Sequence, residues 1–159
     1  MPRWMLLPLV CALAGPAFAA PTADARALGD AFARAFNARD AQAALALYAD
    51  DASVIFPGQG EEARGKAAIE KLLTSAFAQL KDQKAALESI DAWPIGDSHI
   101  VTVGRWQSSF TTPDGKQVTT RVRTSEVLVK TAAGWRYLID HASIGVPPPP
   151  APGHRRRGR

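Results

Sequence analysis

The sequence predicts an α+β fold: a cone-shaped α+β barrel, with three N-terminal helices packed in a curved antiparallel β-sheet and an open mouth where pockets form. Three observations predict it. Apolar residues recur at helical spacing in the first half, the period drops to two from Ala85 onward, and turn residues cut the second half into long strands. Helices that precede the strands, rather than alternating with them, leave one antiparallel meander to pack against.

The first helix is read from Thr22 to Asn37, where Leu28, Phe32 and Phe36 recur with Ala31 and Ala35 beside them as one apolar stripe. Asn37-Ala38-Arg39-Asp40 interrupts the stripe, and Asp40 is placed to N-cap a short second helix over Ala41–Tyr48. Ser53 to Phe56 is a short β-rich run closed by Pro57-Gly58. Asp50 and Asp51 read as the polar exit from the second helix, held by local side-chain to backbone bonds. Adjacent side chains at a helix end do not face one another, so these two acids are not read as paired catalytic groups. Gly58-Gln59-Gly60 lacks the strand–loop–helix order of a phosphate cradle and reads as a loop. Ile69, Leu72, Leu73, Ala76, Phe77 and Leu80 mark a third, amphipathic helix. Strands follow over Ala85–Trp93, His99–Thr111, Gln117–Thr131 and Trp135–Gly145, separated by turn signals at Pro94-Ile95-Gly96-Asp97, Pro113-Asp114-Gly115 and Ala132-Ala133-Gly134.

Residues 22–146 form the domain, about 125 residues and enough for one modest core. Residues 1–19 read as a signal peptide: Arg3, an apolar run from Trp4 to Ala14, then Ala17-Phe18-Ala19 before the cut. The run is too short to span a bilayer comfortably, so the protein is expected to be secreted or periplasmic. Cys11 is the only cysteine and leaves with that segment, which removes disulfides, thiol nucleophiles and thiolate metal sites from the mature chain. Residues 147–159 open on a proline run, end in Arg155, Arg156, Arg157 and Arg159, and read as a disordered tail. The net charge of +4 comes from the ends: without Arg3 and the four tail arginines, fourteen basic residues stand against fifteen acidic ones. A nearly neutral domain gives no reason to expect nucleic acid as a partner, whereas the tail suits an anionic surface.

The segments "FARAFNARDAQAALALYADDASVIFPG", "ARGKAAI" and "GWRYLIDHAS" resemble the SnoaL-like, ketosteroid-isomerase-like group of the nuclear transport factor 2-like superfamily. The resemblance covers Asp24 to about Ser143 and implies the cone fold. It is unspecific for activity, because the superfamily includes isomerases, cyclases, dehydratases and members that only bind ligands or partners. Ketosteroid isomerases use an Asp base shortly after the Tyr-Ala-Asp-Asp turn, a Tyr in the first helix and a protonated carboxyl on a late strand. Laid over this sequence, those positions fall on Phe56, Phe32 and Glu126. A phenyl ring takes up no proton and donates none to an enolate oxygen. The steroid-isomerase mechanism is therefore not expected, whatever the fold.

Alternation puts Val122, Thr124, Glu126 and Leu128 on one strand face, and Arg121, Arg123, Ser125 and Val127 on the other. If the first face lines the cone, Glu126 is a carboxyl in an apolar pocket and a tuned acid or base. The other reading is an acid salt-bridged to Arg105 or facing the mouth. On the last strand Asp140 goes with Leu138 and Ala142, and His141 with Trp135, Tyr137, Ile139 and Ser143, so Asp140 and His141 form no dyad. The resemblance puts pocket residues on the Asp140 side, which makes an Asp140–Glu126 pair sharing one proton a hypothesis. His141 is a general base, a sheet histidine or part of a dimer face. Tyr48, Phe56 and Trp106 offer aromatic walls to an apolar ligand, or else belong to the core. Arg121 and Arg123 are a partner-binding stripe or a solvated face. No His/Asp/Glu set has metal-ligand spacing, with His99, His141 and His154 far apart, and neither metal nor cofactor is expected.

The resulting expectation is a homodimer, paired through the outer face of its sheet, that binds a small apolar or amphipathic molecule in the cone through Tyr48, Phe56, Trp106, Thr124, Glu126, Leu138 and His141. One rival is a proton-transfer enzyme (isomerase, cyclase or dehydratase) with Glu126 or Asp140 as the acting group. The other is a non-catalytic scaffold using Arg121 and Arg123. Convergence of Glu126 and Asp140 in a pocket favours the enzyme, a dry apolar pocket favours binding, and a filled interior favours the scaffold.

Overall fold

The computed structural model of the chain describes residues 19–57, 61–79 and 81–145. The Gly58-Gln59-Gly60 loop, Leu80, the leader up to residue 18 and the Pro/Arg tail lie outside the described residues. Helix α1 (Ala19–Asn37) ends where its stripe ends. Arg39 adopts φ 57°, Asp40 N–H donates to Ala35 O, and Arg39 N–H donates to Phe36 O. That is the Schellman closure, which satisfies carbonyls left open by the last turn. Asp40 then accepts from Ala43 N–H at 2.9 Å and caps α2 (Ala41–Leu45). Asn37 fixes the end of α1 to the sheet, donating to Ala85 O at 3.0 Å and accepting from Ala85 N–H at 2.7 Å.

The second helix stops earlier than its sequence pattern, at Leu45, and β1 runs over Tyr48–Ile55. Asp50 and Asp51 are thus exposed residues of a strand and not a helix exit. Two interactions outcompete further helix here. Tyr137 N–H donates to Leu47 O, and Lys66 Nζ takes up the carbonyls of Leu45 and Tyr48 at 2.9 and 2.8 Å. After the short β2 (Glu62–Arg64), α3 (Gly65–Gln79) buries Ile69, Leu73, Ala76 and Phe77.

The remaining strands are β3 (Lys81–Ile95), β4 (His99–Thr111), β5 (Gln117–Thr131) and β6 (Gly134–Ile144). They join β1 and β2 in one six-stranded sheet of order β2-β1-β6-β5-β4-β3. The sheet is mixed, not wholly antiparallel, because β1 lies parallel to β6. The chain passes through α3 and the whole meander before β6 returns beside β1, and that long connection permits a parallel neighbour. Pro94 sits in β3, an edge strand, where its missing N–H costs no ladder bond. The helices cover the inner face, and the core centres on Ile69, Leu73, Ile100, Leu128, Tyr48 and Tyr137.

Candidate functional site

Register carries polar residues to one place. Thr102 on β4 lies opposite Glu126 on β5, which lies opposite Asp140 on β6, beside Val54 on β1. The three polar side chains form one row across the inner face, at 0 %, 3 % and 6 % exposure. The next row is Gly104, Thr124 and Ala142. Gly104 is needed there, because a Cβ would stand 2.4 Å from Thr124 Oγ1 and 2.9 Å from Trp106 Nε1. Its absence lets Trp106 Nε1 donate to Thr124 Oγ1 at 3.2 Å.

A β-bulge makes the pairing of the two acids. From the β5–β6 turn the ladder counts regularly through Leu128↔Tyr137, then resumes at Val127↔Ile139 and Glu126↔Asp140. Leu138 is the extra residue. It places both Tyr137 and Asp140 on the inner face, whereas strict alternation separates them. Tyr137 is accordingly buried and lines the cavity, and does not share the outer face with His141. Leu138 packs half-buried against the core and stays out of the cavity lining. His141 is exposed on the outer face, opposite Ser125, and takes no part in the site.

The cavity measures about 110 Å³. Phe32 and Phe36 wall it from α1, Phe56 from the end of β1, and Trp106, Thr124, Glu126, Tyr137 and Asp140 from the sheet. Among the described residues no Lys, Arg or His lines it. Of the residues expected at a ligand, Phe56, Trp106, Thr124 and Glu126 meet there, joined by Asp140. Tyr48 stands behind the wall and reaches the site through its hydroxyl, which donates to Asp140 Oδ2 at 2.7 Å. Phe32, the ring at the helical position of the isomerase tyrosine, stacks edge-on to Tyr48, Trp106 and Tyr137.

The two carboxyls are electrostatically unequal. Burial pushes Asp140 up to about 7, the charge of Glu126 adds to the rise, and the Tyr48 hydrogen bond opposes it. Glu126 is also raised by burial, against hydrogen bonds from the hydroxyls of Thr102 and Thr124 that favour its ionised form. Among the described residues no salt bridge holds it, since Arg105 lies exposed and donates to Ser89. Burial, with the acids beside them, raises Tyr48 and Tyr137 well above the ordinary phenol value, so both remain donors. The wall therefore offers a carboxyl that keeps its proton towards neutrality beside one better prepared to ionise. Two titratable groups held apart in this way make an acid and a base.

Thr102 and Tyr137 were not among the sequence candidates. Thr102 had a signal, since a hairpin centred on Asp114 sets it opposite Glu126. Tyr137 had none, since the bulge carries no Gly or Pro to announce it. Among the described residues no group of three or more His, Cys, Asp or Glu could hold a metal ion.

Comparison with known proteins agrees with this architecture. A profile of the SnoaL-like domain matches residues 25–147. No curated protein matches significantly. A ketosteroid isomerase-like protein from Erwinia carotovora atroseptica superposes with a TM-score of 0.69 at 22% identity, over 82% of this chain and 100% of that one. A proposed dehydratase of the nuclear transport factor 2-like family from Streptomyces avermitilis gives 0.72 at 16% identity, over 80% and 99%. An uncharacterised protein with a cystatin-like fold from Caulobacter vibrioides gives 0.70 at 25% identity, over 80% and 92%. With the helices inside a curved six-stranded sheet and a profile covering most of its length, the chain belongs to the SnoaL-like domain family.

Proposed function

We propose that the cavity binds a small, uncharged apolar or amphipathic molecule and that Glu126 and Asp140 transfer a proton at its polar end. One observation carries this reading: two buried carboxyls lie directly opposite each other on adjacent strands, on the wall of an otherwise apolar cavity. With no cation among the described lining residues, an anionic ligand would face uncompensated repulsion. About 110 Å³ is well below the roughly 300–1,000 Å³ of pockets that take drug-sized ligands. A single ring or short chain with one carbonyl or hydroxyl fits these limits.

Glu126, ionised, removes a proton from the carbon or hydroxyl set against it. Asp140, still protonated, donates to the oxygen on which charge develops. Isomerisation, cyclisation and elimination of water all need that pair of movements, and the proposed dehydratase among the structural relatives is consistent with the last. Proton exchange is measurable without the natural substrate. In D2O, a panel of one-ring ketones and β-hydroxyketones should exchange their α-hydrogens faster with the protein than with buffer, followed by NMR. Glu126→Gln should abolish the acceleration and Asp140→Asn should weaken it. If no compound exchanges above background while some bind by thermal shift, the domain is a carrier, the reading favoured by the apolar lining. We further propose that it acts outside the cytoplasm, on the strength of the leader-like residues 1–19.

A further inference from the structure

We infer that Trp106 is the positioning residue of the acid pair: its indole N–H fixes the direction of the hydrogen-bond chain Trp106–Thr124–Glu126, which keeps Glu126 an acceptor and leaves the proton of the pair on Asp140. This assignment rests on the proton-transfer reading and adds what decides, between two carboxyls, which is base and which is acid.

The pair by itself is nearly symmetrical. Glu126 and Asp140 are both buried, opposite each other in the ladder and on one cavity wall. Their hydrogen bonds differ. Thr102 and Thr124 donate to Glu126, whereas Asp140 takes one such bond, from Tyr48. All three donors are hydroxyls, and a hydroxyl can reverse, because it accepts as well as donates. Thr102 and Tyr48 have no other side-chain partner among the described residues. Each would turn round to accept from a protonated carboxyl.

Thr124 is held to one direction. Trp106 Nε1 donates to its Oγ1 at 3.2 Å within the buried wall, and an indole N–H has no acceptor capacity. Thr124 must therefore accept on that side, and its own proton goes to Glu126. Were Glu126 protonated and donating to Thr124, the threonine proton would have no acceptor among the described residues, on a side chain only 6 % exposed. An unpaired buried donor is costly. No donor of fixed direction stands behind Asp140, whose partner is a phenol. Nor does charge decide the matter. The titratable groups around Glu126 are Asp140 and Tyr137 on β6 and Tyr48 on β1, while Asp30 on α1 reaches Tyr137. From β4 the facing groups are Thr102 and Trp106, which do not titrate. None of these is a cation that would favour an ionised Glu126.

Carboxyl NMR tests the assignment without a substrate. The side-chain carboxyl carbons of Asp and Glu are isotope-labelled in the full chain, and Glu126→Gln and Asp140→Asn identify the two signals. On raising the pH, Glu126 should ionise in the first step of the pair and Asp140 in the second. The indole N–H signal of Trp106 should move with the Glu126 step. Trp106→Phe keeps a ring but removes the donor, and should lower the ratio of Asp140-protonated to Glu126-protonated forms on the order of tenfold. Thr124→Val should do the same, and Thr124→Ser should not. Adding Trp106→Phe to Thr124→Val should change nothing further, because the indole acts only through the hydroxyl. An indole signal blind to the Glu126 step, additive effects of the two substitutions, or a ratio unchanged by Thr124→Val overturns the assignment. The indole signal and the two Thr124 variants decide it even where Trp106→Phe does not fold. Hydrogen exchange in the ketone panel reads the other claim separately. No exchange, with the titrations as expected, removes the proton-transfer reading and leaves the direction of the chain standing. Exchange in the wild type, with titrations indifferent to Trp106 and Thr124, removes the assignment and leaves that reading.

Discussion

The two faces of β5 are made by one stretch of chain and obey opposite rules. On the inner face Thr124, Glu126 and Leu128 are buried, and every polar group has a partner: Trp106 serves Thr124, and Thr102 and Thr124 serve Glu126. On the outer face Arg121, Arg123 and Ser125 are exposed, and Arg123 stands opposite another arginine without acidic relief. Charge inside the cone is costly and must be shared among hydrogen bonds. Charge outside is screened by water and left unpaired. Position on the pleat, rather than residue type, decides what a charge costs here.

The contrast can be broken from either side. Glu126→Arg should do most damage: a cation in a wall with no room or counter-charge costs several kcal/mol, and the protein should lose its cooperative melt. A native melt would mean that the inner face is wrongly assigned. Next comes pH. Asp140 binds its proton more tightly folded, with a value of about 7 against an ordinary 3.8. The folded state therefore holds more protons between those values, and stability should fall as pH rises through that window, by about 1.4 kcal/mol per unit at most. Urea titrations from acid to neutral pH should show the slope, and Asp140→Asn should flatten it. Gly104→Ala drives a methyl into Thr124 and should cost roughly 1–3 kcal/mol. A double-mutant cycle with Thr124→Ala should return part of that loss. The smallest effect belongs outside. Arg123→Glu replaces a like-charge pair with an opposite one and should stabilise by about 0.2–1 kcal/mol, fading in high salt.

Much of the fold was legible because it is written in periods. The stripe of Leu28, Phe32 and Phe36, the cap at Asp40 and the alternation along β5 depend on nearest neighbours in sequence, and the end of α1, the start of α2 and the span of β5 stand where those patterns put them. Strand β1 did not read well. Asp50 and Asp51 have low strand propensity, and they lie between Tyr48 and Ser53, the residues at which β1 is held to its parallel partner far along the chain. The acid pair was half legible. Glu126 followed from alternation, but Tyr137 and Leu138 were misplaced relative to the cavity because a bulge is decided by packing between β6 and its neighbours, whereas His141 faces outward as its alternation with Asp140 requires. Position β1 shows the same physics, for its register with β6 also jumps, between Tyr48 and Ser53.

The extra residue at Leu138 acts on the two-letter code of the pleat, in and out, as a frameshift acts on a reading frame. Upstream of it, odd-numbered Tyr137 faces in; downstream, even-numbered Asp140 does. A relative that lacks this residue aligns correctly only with a gap at Leu138. Without the gap, residues on one side of the shift are matched to positions on the opposite face, and a wall of the cavity is compared with the surface of the molecule.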